Sequence, residues 1–404
     1  MSDRRKARDL ALLPLDEVVL DLGRLERLRR SIVAADCAAA VFVAPANIRY
    51  ATGTSNMQVY AGHNPCRYVF VPAEGPVVLF EFAGCSHIAA GRRAVDEVRP
   101  AVSWYHFVAG PRVAEKAELW AAELAELTRR HGGGNRRLAI DRVDPVGTWA
   151  LQRHGIEILD GQAVANHARK IKTPEEIKAI RNAVAVCDEG LHRMHAALQP
   201  GITEQRLWSY LHQANAELGG EWIETRLLTS GPKTYPWYQE CGERLIEAGD
   251  IVSFDTDLVG AHGYSADISR SWIVGEGRAK DHQRRLHAVA HERLYANIAL
   301  FRPGTTFREI AERAWQAPEP YGETALPALA HGIGLVNEYP LLLSMRYWDA
   351  HGYDDVLEEG MVLCVESYLA DTRAGEGVKL EQQILIGASG PEILSAYPME
   401  EALL

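Results

Sequence analysis

Apolar residues return every three or four positions in LGRLERLRRSIVAADC, which begins at Leu22, and again in VAEKAELWAAELAELTRRHGGG, which begins at Val113. That spacing puts them on one face of a helix, and the glycines closing the second stretch are a common helix stop. AAAVFVAP and YVFVPAEGPVVLFEF are short apolar runs rich in β-branched and aromatic residues, and they predict strands. Helix and strand signals alternate from about Leu22 to Leu159, which predicts a self-contained α/β unit. A new helix is predicted in KTPEEIKAIRNAVAVCDEGLHRMHAAL, where Thr173 suits the N-cap and Pro174 the first helical position. The domain boundary is placed just before it, dividing the chain into 1–168 and 169–404.

The stretch IVSFDTDLVGAHGYSADISRSW, from Ile251 to Trp272, reads as two strands around a glycine-containing turn. Successive strand side chains point to opposite faces. Val252, Phe254, Thr256 and Leu258 then share one face of the first strand, while Ser253, Asp255 and Asp257 share the other. The second strand repeats the division, with Tyr264, Ala266, Ile268 and Trp272 opposed to Ser265, Asp267, Ser269 and Ser271. A hairpin turning near His262 sets Asp257 opposite Asp267. Like charges facing each other across a ladder are destabilising, and two close carboxylates do not both stay ionised without a positive charge between them. A bound cation is the simplest explanation, because the apolar opposite faces argue for a hairpin buried on at least one side.

Composition narrows the class. A chain of 404 residues exceeds one ordinary core, so two domains are expected. With 47% hydrophobic and 24% charged residues it reads as a globular protein, and a net charge of −11 argues against a nucleic-acid-binding surface. The opening MSDRRKARD is charged and precedes no apolar signal core, and no run reaches the roughly 20 apolar residues that span a bilayer, so a cytoplasmic protein without a membrane partner is expected. Cys37, Cys66, Cys85, Cys187, Cys241 and Cys364 are scattered with no C-x-x-C pair, which fits reduced thiols used for packing.

The second half supplies further candidate ligands. LPALAHGIGLVNEYP sets His331 beside glycines that permit close backbone approach. GMVLCVESYL and GVKLEQQILI are apolar, strand-like runs carrying Glu366 and Glu381, and a charge within a buried strand is costly unless paired or bound to metal.

The order Asp, Asp, His, Glu, Glu, together with IKTPEEIKAIRNA, LEEGMVLCVE and GVKLEQQILI, resembles the pita-bread metalloenzymes that include methionine aminopeptidase, aminopeptidase P, prolidase and creatinase. The resemblance implies an α/β N-terminal creatinase/prolidase-like domain followed by an α+β pita-bread catalytic domain. It also implies two divalent metal ions (Fe, Mn, Zn or Co) held by Asp257, Asp267, His331, Glu366 and Glu381, and a homodimer in which the N-terminal domain of one subunit helps cover the other's pocket. Two departures stand apart from the peptidases. Trp237 or Tyr238 occupies a stretch where they carry a histidine, and HGIGLVNE is one residue shorter than the peptidase motif, with Asn337 before Glu338.

WIETRLLTSGPKTYPWYQECG, FDTDLVG, DISRSW, NIRYATGTSNMQ and GMVLCVE are similar to the dimethylsulfoniopropionate lyase branch of the same fold, which implies Asp255 as a sixth metal ligand. Here too the chain departs. Asn337 stands where the lyases carry an aspartate thought to be the base, and Leu326 stands near the position of a tyrosine. The expected function is a metal-dependent β-elimination on a small zwitterionic or cationic carboxylate, with Asn337 and Glu338 as catalytic candidates and Tyr60, Trp237 and Tyr238 as aromatics facing a cationic group. The alternatives are a C–N hydrolase of dipeptidase or creatinase type, and a non-catalytic binding protein. The complete ligand set argues against the last.

Overall fold

The computed structural model describes residues 10–275 and 279–404; the charged opening MSDRRKARD lies outside the described residues. The chain forms two units, Leu15–Glu175, and Glu176–Leu404 with the leading segment through Pro14. The expected boundary at 168/169 falls inside the helix Gly161–Arg169, whose Val164, Ala165 and Ala168 are buried, so the division comes later. The next helix starts at Pro174, as read from the sequence, and the units divide within its first turn.

In the first unit a six-stranded sheet runs in the order Glu97–Pro100, Val78–Glu81, Tyr68–Pro72, Ala39–Phe42, Arg137–Ile140, Glu157–Asp160. Its Ala39–Phe42 strand is buried throughout, which explains its uninterrupted apolar sequence. YVFVPAEGPVVLFEF, read as strand, forms two antiparallel strands with Tyr68 paired to Phe80. The first predicted helix starts earlier than its apolar pattern suggested, at Glu17, because the Asp16 side chain accepts from the N–H groups of Val18 and Val19. The second spans Val113–His131 and packs Trp120 and Leu124 into a core with Trp104, Tyr68 and Phe80.

The second unit is α+β. Its dominant sheet is five-stranded, in the order Asn337–Leu343, Ala328–Ile333, Val362–Asp371, Glu376–Gly387, Gly390–Ile393. A three-stranded sheet pairs Ile251–Asp255 with Ser269–Ile273 and with Leu228–Ser230, and a second joins Leu258–Val259, Ser265–Ala266 and Trp222–Ile223. Both faces of the two long strands are buried, so polar residues on them must find partners inside the protein. Among the described residues no helix is long and apolar enough to cross a membrane.

The helix Asp281–Ile298 packs on these long strands and buries His287 completely. Among the described residues both ring nitrogens of His287 lack a hydrogen-bond partner. Burial, followed by neighbouring His291, pushes its pKa down to about 4, against a smaller upward pull from Glu400 and with Arg270 adding to the depression. A histidine with a depressed folded pKa stabilises the fold above its unfolded pKa, and that contribution disappears as pH falls from about 6.5 toward 4. The full effect is of the order of 3 kcal/mol. His287→Gln is therefore expected to flatten the loss of stability across this window in urea denaturation; an unchanged pH slope would assign the loss to other groups.

Candidate metal centre

Two strand pairings assemble the acidic side chains. Ser269 pairs with Asp255 and Leu258 with Ala266, and these pairs bracket Asp257 and Asp267, so the register read from the sequence is the one observed. The ladder breaks between the two short sheets, and Asp257 there takes a left-handed backbone with φ 37°, a region that aspartate tolerates better than most residues. Its N–H donates to Asp267 Oδ1 at 3.3 Å and Thr225 Oγ1 donates to its Oδ2 at 2.7 Å. In the large sheet Glu366 lies directly opposite Glu381, and His331 pairs with Cys364. Gly332, next to His331, is sterically required by the facing backbone, and Gly334 closes on the end of the Glu338 side chain. A Cβ at Gly332 would meet Tyr339 O at 2.4 Å, and one at Gly334 would meet Glu338 Oε1 at 2.6 Å.

The result is one cluster. Ligand atoms of Asp267, His331, Cys364 and Glu381 lie within 4.8 Å of one another, as do those of Asp255, Glu366 and Glu381, and those of Asp255, Asp257 and Asp267. The Gly332 carbonyl accepts from His331 Nδ1 at 3.2 Å, so this nitrogen carries the hydrogen and Nε2 faces the acids. That nitrogen is 3.4 Å from Glu366 Oε1, 3.6 Å from Glu381 Oε1 and 3.6 Å from Asp267 Oδ2. Such an outer hydrogen bond, with the free nitrogen aimed at carboxylates, is how metal-binding histidines are oriented.

The sequence reading missed Lys379. Its ammonium is fully buried and lies 2.9 Å from Asp255 Oδ2, 3.0 Å from Glu366 Oε2 and 2.8 Å from Glu381 Oε2. The signal was available, because Lys379 stands two positions before Glu381 in GVKLEQQILI and so shares its strand face. Cys364, read as packing, shares a face with Glu366 in the same way and groups with the candidate ligands; its thiol lies 3.7 Å from the Asp267 carbonyl.

Electrostatics show what the cluster demands. Burial raises Asp255 and Glu366, but it is outweighed by Lys379 acting together with side-chain hydrogen bonds, to Asp267 and Glu381 in the first case and to His331 in the second, and both are held below the usual carboxylate range. The remaining acids go the other way. Burial and then Asp255 push Asp257 up to about 6, the same two causes push Glu381 up to about 7, and burial with Asp257 and Glu381 raises Asp267 strongly. One lysine and one histidine therefore do not suffice to keep all the carboxylates ionised. Among the described residues Glu381 Oε1, fully buried, has no hydrogen-bond partner. Hard oxygen donors with one imidazole, short of positive charge and with an orphaned oxygen, fit divalent metal ions.

The other candidates lie outside the ligand groups. Trp237 is buried against Leu326, Tyr368 and Ala370, and Lys379 Nζ sits 5.8 Å from the centroid of its ring. Tyr238 is 69% exposed and strained at φ 66°, uncommon for a bulky side chain. Desolvation first, then Glu366, raises its phenol pKa, so the hydroxyl end responds to the cluster although the residue as a whole is exposed. Asn337 is exposed, and among the described residues its side chain makes no hydrogen bond. Glu338 is buried beneath Gly334 and belongs to none of the ligand groups. Tyr60 belongs to the other unit, on the helix Gln58–His63, and is 42% exposed.

Residues 24–171 match the creatinase/prolidase N-terminal domain and residues 178–388 match metallopeptidase family M24. The chain is 39% identical to the dimethylsulfoniopropionate lyase DddP of Roseovarius nubinhibens over 94% of this chain and 86% of that protein. It is 28% identical to an Xaa-Pro dipeptidase of Lactobacillus helveticus over 56% of this chain and 64% of that protein. The fold matches an Xaa-Pro dipeptidase from Bacillus anthracis with a TM-score of 0.76 at 21% identity, covering 94% and 99% of the two chains, and the prolidase of Pyrococcus horikoshii with a TM-score of 0.75 at 22% identity, covering 94% and 99%. The expected pita-bread architecture is thereby met, and the acidic cluster lies within the matched catalytic region. The chain is an enzyme of metallopeptidase family M24, built from a creatinase-type N-terminal domain and the family's catalytic domain.

Proposed function

We propose that this protein is a metal-dependent lyase that performs β-elimination on a small zwitterionic or cationic carboxylate, with two divalent ions held by Asp255, Asp257, Asp267, His331, Glu366 and Glu381. The observation that carries this reading is the convergence of these six side chains on one buried, positively undersupplied cluster. Similarity to a dimethylsulfoniopropionate lyase over 94% of the chain supports the reaction class. Bound dications act as Lewis acids toward a substrate carboxylate and make the adjacent α-proton more acidic.

The chain's own residues do the rest. His331, oriented by the Gly332 carbonyl, and the paired Glu366 and Glu381 fix the centre on rigid strands. Trp237, packed on Leu326 and Tyr368, gives an apolar aromatic wall, and exposed Tyr238 presents a second ring at its edge, 6.3 Å away. Such rings suit the cationic end of a substrate. Asn337 binds and orients through its amide, but an amide does not accept a proton as a carboxylate does. Asn337 therefore contributes no base at the position where the lyases of this branch carry one, and the native substrate differs from dimethylsulfoniopropionate.

Three outcomes test this reading. Protein purified without chelator is expected to contain divalent metal by mass spectrometry, and Asp267→Asn is expected to lose most of it; full retention would remove Asp267 from the ligand set. Acrylate release from dimethylsulfoniopropionate is expected to be weak in wild type and to rise on the order of 10²-fold in Asn337→Asp. Robust wild-type release would show that residue 337 is not the base position, and cleavage of Xaa-Pro dipeptides instead would favour the hydrolase. Light scattering is expected to give twice the chain mass, with each N-terminal domain helping to cover its partner's pocket; a monomer at micromolar concentration would refute that arrangement.

A further inference from the structure

Lys379 takes one oxygen from each of three acids and leaves the other. Its Nζ contacts Asp255 Oδ2, Glu366 Oε2 and Glu381 Oε2, and at 2.8 Å also Ser269 Oγ. Glu366 Oε1 and Glu381 Oε1 are turned the opposite way, toward His331 Nε2, where Asp267 Oδ2 joins them. The ammonium thus fills the Asp255, Glu366 and Glu381 grouping, one of the three places where ligand atoms converge.

The two remaining positions are unequal. An ion beside His331 would be held by Asp267 Oδ2, Glu366 Oε1 and Glu381 Oε1, oxygens that Lys379 does not engage. An ion among Asp255, Asp257 and Asp267 has to share Asp255, whose Oδ2 bonds Lys379 and whose Oδ1 accepts from Ser269 at 2.8 Å. Charge leads to the same distinction. With the ammonium present, the five carboxylates leave four negative charges, which two dications cancel. The lysine is therefore compatible with two ions, but it repels the second while competing for its donors.

We propose that Lys379 is a built-in counter-cation: it holds Asp255, Glu366 and Glu381 together before metal arrives and sets the affinity of the second ion below that of the first. This rests on the metal-dependent reading above. It makes Lys379 a positioning residue, and its test is metal binding rather than turnover.

Full-length protein stripped of metal is titrated with Zn2+ by calorimetry and by competition with a chromophoric chelator. Wild type is expected to bind in two steps. Lys379→Met is expected to tighten the second step by roughly tenfold or more, since it removes a unit charge only a few ångströms from the ion, and to lower the melting temperature of the metal-free protein, with recovery on adding Zn2+. Lys379→Arg, which keeps the charge, is expected to stay close to wild type. Two equal steps in wild type, or a second step unchanged or weakened in Lys379→Met, would overturn the proposal. Should Lys379→Met fail to fold, Asp255→Asn decides by the same titration: loss of the second step alone supports the proposal, and loss of the first overturns it. A wild-type protein that takes up no ion defeats the metal-dependent reading itself, a result distinct from any of these.

Discussion

Five carboxylates crowded into one buried volume repel each other and lose their hydration, and everything around them answers that cost. Removing one partner from a buried ion pair typically costs about 3–5 kcal/mol, while the intact pair adds little net stability. The cluster is thus a liability that the fold has to contain. Containment is visible at four of the five: Thr225 donates to Asp257, Ser269 Oγ lies within hydrogen-bond distance of both Asp255 and Glu381, and the Asp257 N–H donates to Asp267 Oδ1 at 3.3 Å. Lys379 ties together Asp255, Glu366 and Glu381, and so adds a positive charge beside the two acids that Ser269 already bonds.

The long antiparallel pair Val362–Asp371 and Glu376–Gly387 shows how rigidity supports this. Glu366 directly opposite Glu381 is an unfavourable pairing in any ladder, and here it is bridged by an ammonium on one side and an imidazole on the other. Arg270, fully buried on the neighbouring strand, donates to the Glu381 carbonyl at 2.8 Å and to the Tyr397 carbonyl at 2.7 Å. The strand bearing Glu381 is thereby tied to the C-terminal segment. His331, Glu366 and Glu381 are fixed on strands, while Asp257 and Asp267, in the break between the two short sheets, are held by hydrogen bonds to Thr225 and Gln383.

Much of this was legible in the sequence, for identifiable reasons. Strand parity has a period of two, so the shared face of Asp255 and Asp257 and the opposition of Asp257 to Asp267 followed from local pattern alone. Glu366 and Glu381 stood out because charges interrupt apolar runs. Lys379 was overlooked although the same parity places it with Glu381, because a lysine near a strand's start reads as a solvated edge. His287 was illegible for a different reason: its complete burial depends on a helix packing against strands far away in the chain. Cys364 resembled any core thiol until its strand was seen to pair with the one carrying His331.

The departures from the lyase pattern fall outside the cage. Leu326 is buried among Trp237, Tyr368 and Ala370, where it completes an apolar wall and touches none of the ligand groups. Asn337 is an exposed position on the adjoining strand Asn337–Leu343, with its amide unengaged among the described residues. A tyrosine at 326 would add a hydroxyl that needs a partner in that wall, whereas leucine needs none. The two differences act in the same direction: one removes a polar group from the wall and the other removes a charge from the strand beside His331, while every acid of the cage stays in place. A change confined to wall and rim is in keeping with the proposed difference in substrate. It leaves intact the charge arrangement that any metal-assisted step requires.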